Sequence, residues 1–116
     1  MHELSLAHSL VEVASHAAAQ ANVTRVKAVH LRLGALAGVV KDSLLFCYDL
    51  AAQGTALEGS QLVIEDVPMK IKCEHCTPEG CEPHNPPNWQ CPKHDVVAPV
   101  LVQGRELQIE SLEYDA

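Results

Sequence analysis

Aromatic residues are scarce in this chain of 116: Phe46, Tyr48, Trp89 and Tyr114 are all it has. The core must therefore be built from Leu, Val, Ile and Ala, and side chains on which bases could stack are few. Positive charge is short as well, with 8 basic residues against 15 acidic ones and a formal charge of -7. Binding to a phosphate backbone begins with Lys and Arg displacing counterions, so the balance disfavours a nucleic-acid partner. Long apolar runs are missing too, since none approaches the roughly 18 to 20 residues that cross a bilayer. The opening residues lack the basic stretch and apolar segment of a secretory signal. These absences predict a cytoplasmic protein without membrane insertion. With 47% hydrophobic and 20% charged residues the chain is globular, and its length suits one main core.

Ligands for metal ions, by contrast, are plentiful. Five cysteines are an odd number, and in a reduced compartment two-residue spacings suit metal thiolates better than disulfides. Cys73-Glu74-His75-Cys76 and Cys91-Pro92-Lys93-His94 each let one backbone turn offer two side chains to a tetrahedral ion. Cys73, Cys76 and Cys91 are thus predicted zinc ligands. His94 stands first for the fourth position, with Cys81 its main competitor and His75 and His84 behind. Four good ligands favour a closed structural site, and a ribbon this small needs the ion to fold. Cys47 lies within an apolar helical face and is expected to be a small core residue.

A second centre is predicted at the start of the chain. In Met1-His2-Glu3 the terminal amine, the deprotonated His2 amide and the His2 ring offer three nitrogens to a square-planar nickel(II) or copper(II) ion. Glu3 is adjacent, and Asp42 can approach if the start of the second helix packs against the terminus. The bulk of His2 is expected to block removal of Met1. His8, Glu12 and His16, spaced four apart, fit a solvated helix face better than a further metal patch.

Periodicity places these residues. Leu6, Leu10, Val13, Ala14, Ala17 and Ala21 mark a helix from Leu4 to about Ala21, which Asn22 can close. Val29, Leu31 and Leu33 alternate with His30 and Arg32 in a strand within residues 23–34. Leu44, Cys47, Tyr48 and Ala51 mark a second helix ending at Gly54. A strand over Leu62 to Val67 should lie beside the first and stop at Pro68. Short strands lead into and out of the cysteine region, at Met69 to Lys72 and Val96 to Val102. Leu107 and Ile109 begin a last strand that rejoins the sheet. The predicted architecture is α+β, a small sheet with two helices over residues 1–68 and 105–116, with a zinc ribbon inserted at 69–104.

Met1-His2-Glu3-Leu4-Ser5, Leu31-Arg32-Leu33-Gly34 with Leu36-Ala37-Gly38-Val39, Gly54-Thr55 with Leu57-Glu58-Gly59, the cysteine pairs and Gly104-Arg105-Glu106-Leu107 occur in one order. Together they closely resemble the HypA/HybF family of hydrogenase maturation factors, over essentially the whole chain. The resemblance implies a metallochaperone without catalytic turnover. It would carry nickel to the [NiFe]-hydrogenase large-subunit precursor, with a maturation GTPase as partner, as a monomer or homodimer. It implies nickel at Met1, His2 and Glu3, and zinc at Cys73, Cys76 and Cys91. The family pattern has a cysteine where this chain has His94, which leaves zinc expected and its fourth ligand open.

Two other classes compete. A zinc-ribbon interaction or nucleic-acid module would bind in a salt-sensitive manner, and a zinc hydrolase would lose turnover on chelation. The acidic charge opposes the first, and no convincing nucleophile, base and orienting group supports the second.

Overall fold

In the computed structural model, which describes residues 2–83, 89–97 and 100–115, two helices and two small sheets follow one another along the chain. Helix α1 spans Glu3–Gln20 and buries Glu3, Ala7, Leu10, Val11, Ala14 and Ala18, a stripe at three- and four-residue intervals. Val13, expected inside, is 60% exposed. Small alanines let the helix approach its neighbours along the Ala7–Ala14–Ala18 line, and this turns Val13 outward. Asn22 closes the helix in the left-handed conformation (φ 58). Val23 N–H then donates to Ala18 O at 2.8 Å and Asn22 N–H to Ala19 O at 3.1 Å, the paired closure of a Schellman motif.

Strand β1 is Ala28–Gly34 and contains the alternating residues 29–33, while the Val26 N–H ahead of it donates to Ala56 O. Helix α2 is Lys41–Ala52 and buries Leu44, Tyr48, Ala51 and Ala52, while Cys47 is only half-buried. Strands β2 (Gln61–Val67) and β5 (Leu107–Glu113) flank β1 in the order β2-β1-β5. Gln61 N–H donates to Lys27 O and Ala35 N–H to Val67 O, so β1 and β2 advance together as a parallel pair connected through α2. Lys27 N–H to Glu113 O and Gly34 N–H to Glu106 O make β1 and β5 antiparallel. On the polar side Arg32 lies 3.7 Å from Glu65 and 3.8 Å from Glu110, one cation between the carboxylates of both neighbouring strands.

Strands β3 (Lys70–Lys72) and β4 (Val100–Gln103) form a separate antiparallel ribbon pairing Ile71 with Leu101. Two compact units result: residues 1–32, 38–65 and 108–116, and residues 33–37 and 66–107. The first holds the apolar core around Leu31, Leu44, Tyr48 and Leu57. The second packs Met69, Ile71, Cys73 and Cys91 with Leu36, Trp89 and Leu101. Gly34 belongs to the second, and a Cβ there would strike the Gly104 carbonyl and come within 2.6 Å of Glu106 N. No described helix is long and apolar enough to cross a membrane.

Candidate metal centre

The ribbon's donors come from two turns. Cys73 follows β3 directly, and the Cys76 N–H returns to Cys73 O at 3.1 Å, bringing both thiols to one side. The second turn is clamped by Asp95 N–H to Cys91 O at 3.0 Å, Cys91 N–H to Val96 O at 2.8 Å and Gln90 Nε2 to Asp95 Oδ1 at 2.6 Å. It carries Cys91 and His94.

Cys73, Cys76, Cys91 and His94 form one group with all ligand atoms within 4.8 Å of one another. His94 Nδ1 lies 3.2 Å from Cys73 Sγ, 3.4 Å from Cys91 Sγ and 3.6 Å from Cys76 Sγ. Cys76 Sγ is 3.4 Å from Cys73 Sγ and 3.5 Å from Cys91 Sγ. A tetrahedral ion with bonds of about 2.3 Å to sulfur and about 2.0 Å to nitrogen has edges of about 3.5 to 3.8 Å. The group fits such an ion with slight contraction.

Its electrostatics favour the thiolate at Cys91 and oppose it at Cys73. Burial pushes the Cys91 thiol up, but the His94 N–H, the His94 ring and the Lys93 N–H outweigh it and bring it down to about 6. Cys73 is raised, chiefly by burial against the opposing His75 N–H. The competitors for the fourth position differ in placement. His75 is exposed, lies 3.6 Å from Glu74 and has its ring 5.5 Å from that of His94. Cys81 stands 3.6 Å from Cys91 Sγ and 3.9 Å from Cys76 Sγ. His84 lies outside the described residues.

At the other candidate centre His2 is exposed and forms the N-cap of α1. Glu3 is buried; its Oε2 accepts the Val40 N–H at 3.1 Å and its Oε1 has no partner among the described residues. Val40 is the N-cap of α2, so that helix start does reach Glu3, and Asp42 sits exposed in its first turn. Met1 lies outside the described residues. Sequence reasoning missed the Val40 contact, a backbone donor that no motif announces. His8, Glu12 and His16 are exposed, with Gln20 Nε2 3.2 Å from His16 Nε2, and join no metal group among the described residues.

A three-thiol, one-imidazole group on a small ribbon, in a chain that also carries a helix–sheet unit, defines a metal-binding protein of α+β class. The sequence model of the family described as hydrogenase/urease nickel incorporation, metallochaperone, HypA matches residues 1–114. The chain belongs to this HypA family. It is 50% identical over 115 residues to the hydrogenase maturation factor HypA of Roseiflexus sp. (strain RS-1), covering 99% of this chain and 93% of that one. The factor of the same name from Chloroflexus aurantiacus is 50% identical over 113 residues, covering 97% and 98%. The fold is that of the Ni metallochaperone HypA from Helicobacter pylori, with a TM-score of 0.67 at 21% identity over 97% of each chain.

Proposed function

We propose that this protein binds Ni(II) at Met1, His2 and Glu3 and delivers it to the [NiFe]-hydrogenase large-subunit precursor in the cytoplasm. A maturation GTPase is its partner, and Zn(II) held by Cys73, Cys76, Cys91 and His94 shapes the ribbon. The protein works as a binding and transfer factor, as a monomer or homodimer.

The observation that carries this reading is His2 at the head of α1, exposed, with the Glu3 carboxylate beside it retaining one oxygen that has no partner among the described residues. Nitrogen donors at a chain end can leave a metal ion one at a time, which suits a carrier that must select its cargo and then release it. The zinc ligands fit the opposite task. They sit on two clamped turns, and a closed four-ligand ion there supplies folding free energy.

The test is a calorimetric nickel titration of the zinc-loaded, untagged protein against His2→Ala and a version extended ahead of Met1. The expected result is a stoichiometric site lost in both variants. Unchanged binding in either variant overturns nickel at the terminus.

A further inference from the structure

Cys81 stands outside the four-ligand group but beside two of its members. Its Sγ lies 3.6 Å from Cys91 Sγ and 3.9 Å from Cys76 Sγ, distances close to those inside the group itself. Those two sulfurs are 3.5 Å apart, so Cys81 faces the same Cys76–Cys91 edge that the group uses.

This placement is built into the backbone. Cys81 N–H donates to Ile71 O at 2.8 Å and Ile71 N–H donates to Cys81 O at 2.9 Å, and Ile71 is fully buried. The preceding Gly80 (φ 75) passes so near β3 that a Cβ would lie 2.7 Å from Ile71 O. Only glycine brings the loop back at this point, and it returns the cysteine to the donors. Cys81 and His94 also line one cavity of about 200 Å³, which gives both side chains space to shift.

We propose that Cys81 is a fifth metal donor that exchanges with His94, so that a thiophilic divalent ion passes between three-sulfur, one-nitrogen and four-sulfur surroundings without leaving the ribbon. This inference rests on the zinc reading above. In the exchange the bond from the ion to His94 Nδ1 breaks, a bond to Cys81 Sγ forms, and the thiol proton passes to solvent. No electron is transferred. His94 is the donor that yields because it is the one neutral ligand and is half-buried, whereas Cys73 and Cys91 are buried in the ribbon core. The incoming thiolate is softer and negatively charged, so the softer the ion, the further the exchange lies toward four sulfurs.

The experiment uses cobalt(II) in place of zinc in the full chain under reducing, anaerobic conditions. Sulfur-to-cobalt charge-transfer absorption scales with the number of thiolates. His94→Ala is expected to keep a tetrahedral spectrum, with absorption raised by about a third as three thiolates become four, and affinity within about tenfold of the parent. His94→Ala/Cys81→Ser should weaken binding by on the order of 100-fold, since losing even an outer-shell partner can reach that size. Equal weakening in the single and double variants overturns the exchange while leaving the zinc reading intact. A parent protein that gives no tetrahedral cobalt site overturns both. Cadmium-113 resonance provides a readout with His94 in place. Cys81→Ser should move the signal from the four-sulfur toward the three-sulfur, one-nitrogen position, and an unmoved signal counts against the proposal.

Discussion

The Glu3 carboxylate is tied to the Val40 backbone across 37 residues, its Oε2 accepting the N–H at 3.1 Å while its Oε1 stays buried without a partner among the described residues. A carboxylate is favourable here because Val40 opens α2, whose N-terminal dipole and free N–H groups attract negative charge. The contact joins the first turn of α1 to the first turn of α2, and it holds the residue next to His2 in a fixed place. A proposed nickel ligand is thereby also a structural clamp.

Acid should release that clamp. The Val40 N–H, opposed by burial, holds the Glu3 carboxyl below its ordinary value of 4.5. A depressed carboxyl stabilises the native state fully above the unfolded value and loses that contribution as pH falls through the native one. The Val40 amide proton shift is therefore expected to titrate below pH 4.5 in the parent and to stay flat in Glu3→Gln. A flat profile in both would show that the bond does not govern the helix junction.

Tyr48 and Ser60 form a second buried polar contact among the described residues of this unit, with their hydroxyl oxygens 2.6 Å apart. Tyr48→Phe leaves the Ser60 hydroxyl buried and unpaired, an expected loss of about 1 to 3 kcal/mol in urea unfolding. Adding Ser60→Ala should cost little more, since both partners are then gone. Additive losses would mean that the two hydroxyls do not depend on each other.

Gly34 tests a steric constraint. A Cβ at this position falls on the Gly104 carbonyl, and the backbone cannot withdraw because Gly34 N–H is bonded to Glu106 O at 2.7 Å. Gly34→Ala is expected to destabilise by about 3 kcal/mol, at the upper end of overpacking effects. Gly54→Ala, with open space around it and φ 78, should lose only about 1 kcal/mol from backbone strain. Midpoints of thermal unfolding separate the two, and equal losses would reject the steric account.

What could be read in advance followed the range of the interaction. The pairing of Cys73 with Cys76 and of Cys91 with His94 was legible because each depends on one local turn. The order β2-β1-β5 was partly legible from alternation and from the expectation that the last strand returns. The buried face of α1 was less so, because an alanine-rich helix offers several stripes of similar hydrophobicity, and packing chose Ala7, Val11 and Ala18 over Val13. Glu3 was expected to be a ligand, but its burial depends on a backbone donor far along the chain. Cys81 was a named competitor, yet its place beside Cys91 depends on pairing with Ile71, which sequence spacing does not encode.

Metal removal should separate the two compact units by their cores. Among the described residues the ribbon's buried core is Met69, Ile71, Cys73 and Cys91, so half of it is thiol donors, and little of the described apolar surface remains to hold β3 against β4 without an ion. A structural zinc ion contributes on the order of 10 kcal/mol, more than such a core can replace. The helix–sheet unit encloses Leu31, Leu44, Tyr48 and Leu57 with no metal donor among them. A strong chelator is therefore expected to collapse the amide resonances of Ile71 and Leu101 toward random-coil positions, while those of Leu31 and Leu44 keep their dispersion. Readdition of zinc should restore the first set. Protected Ile71 and Leu101 amides in fully metal-free protein would show that the ribbon folds on its apolar contacts alone, and the ion's structural role would then have to be abandoned.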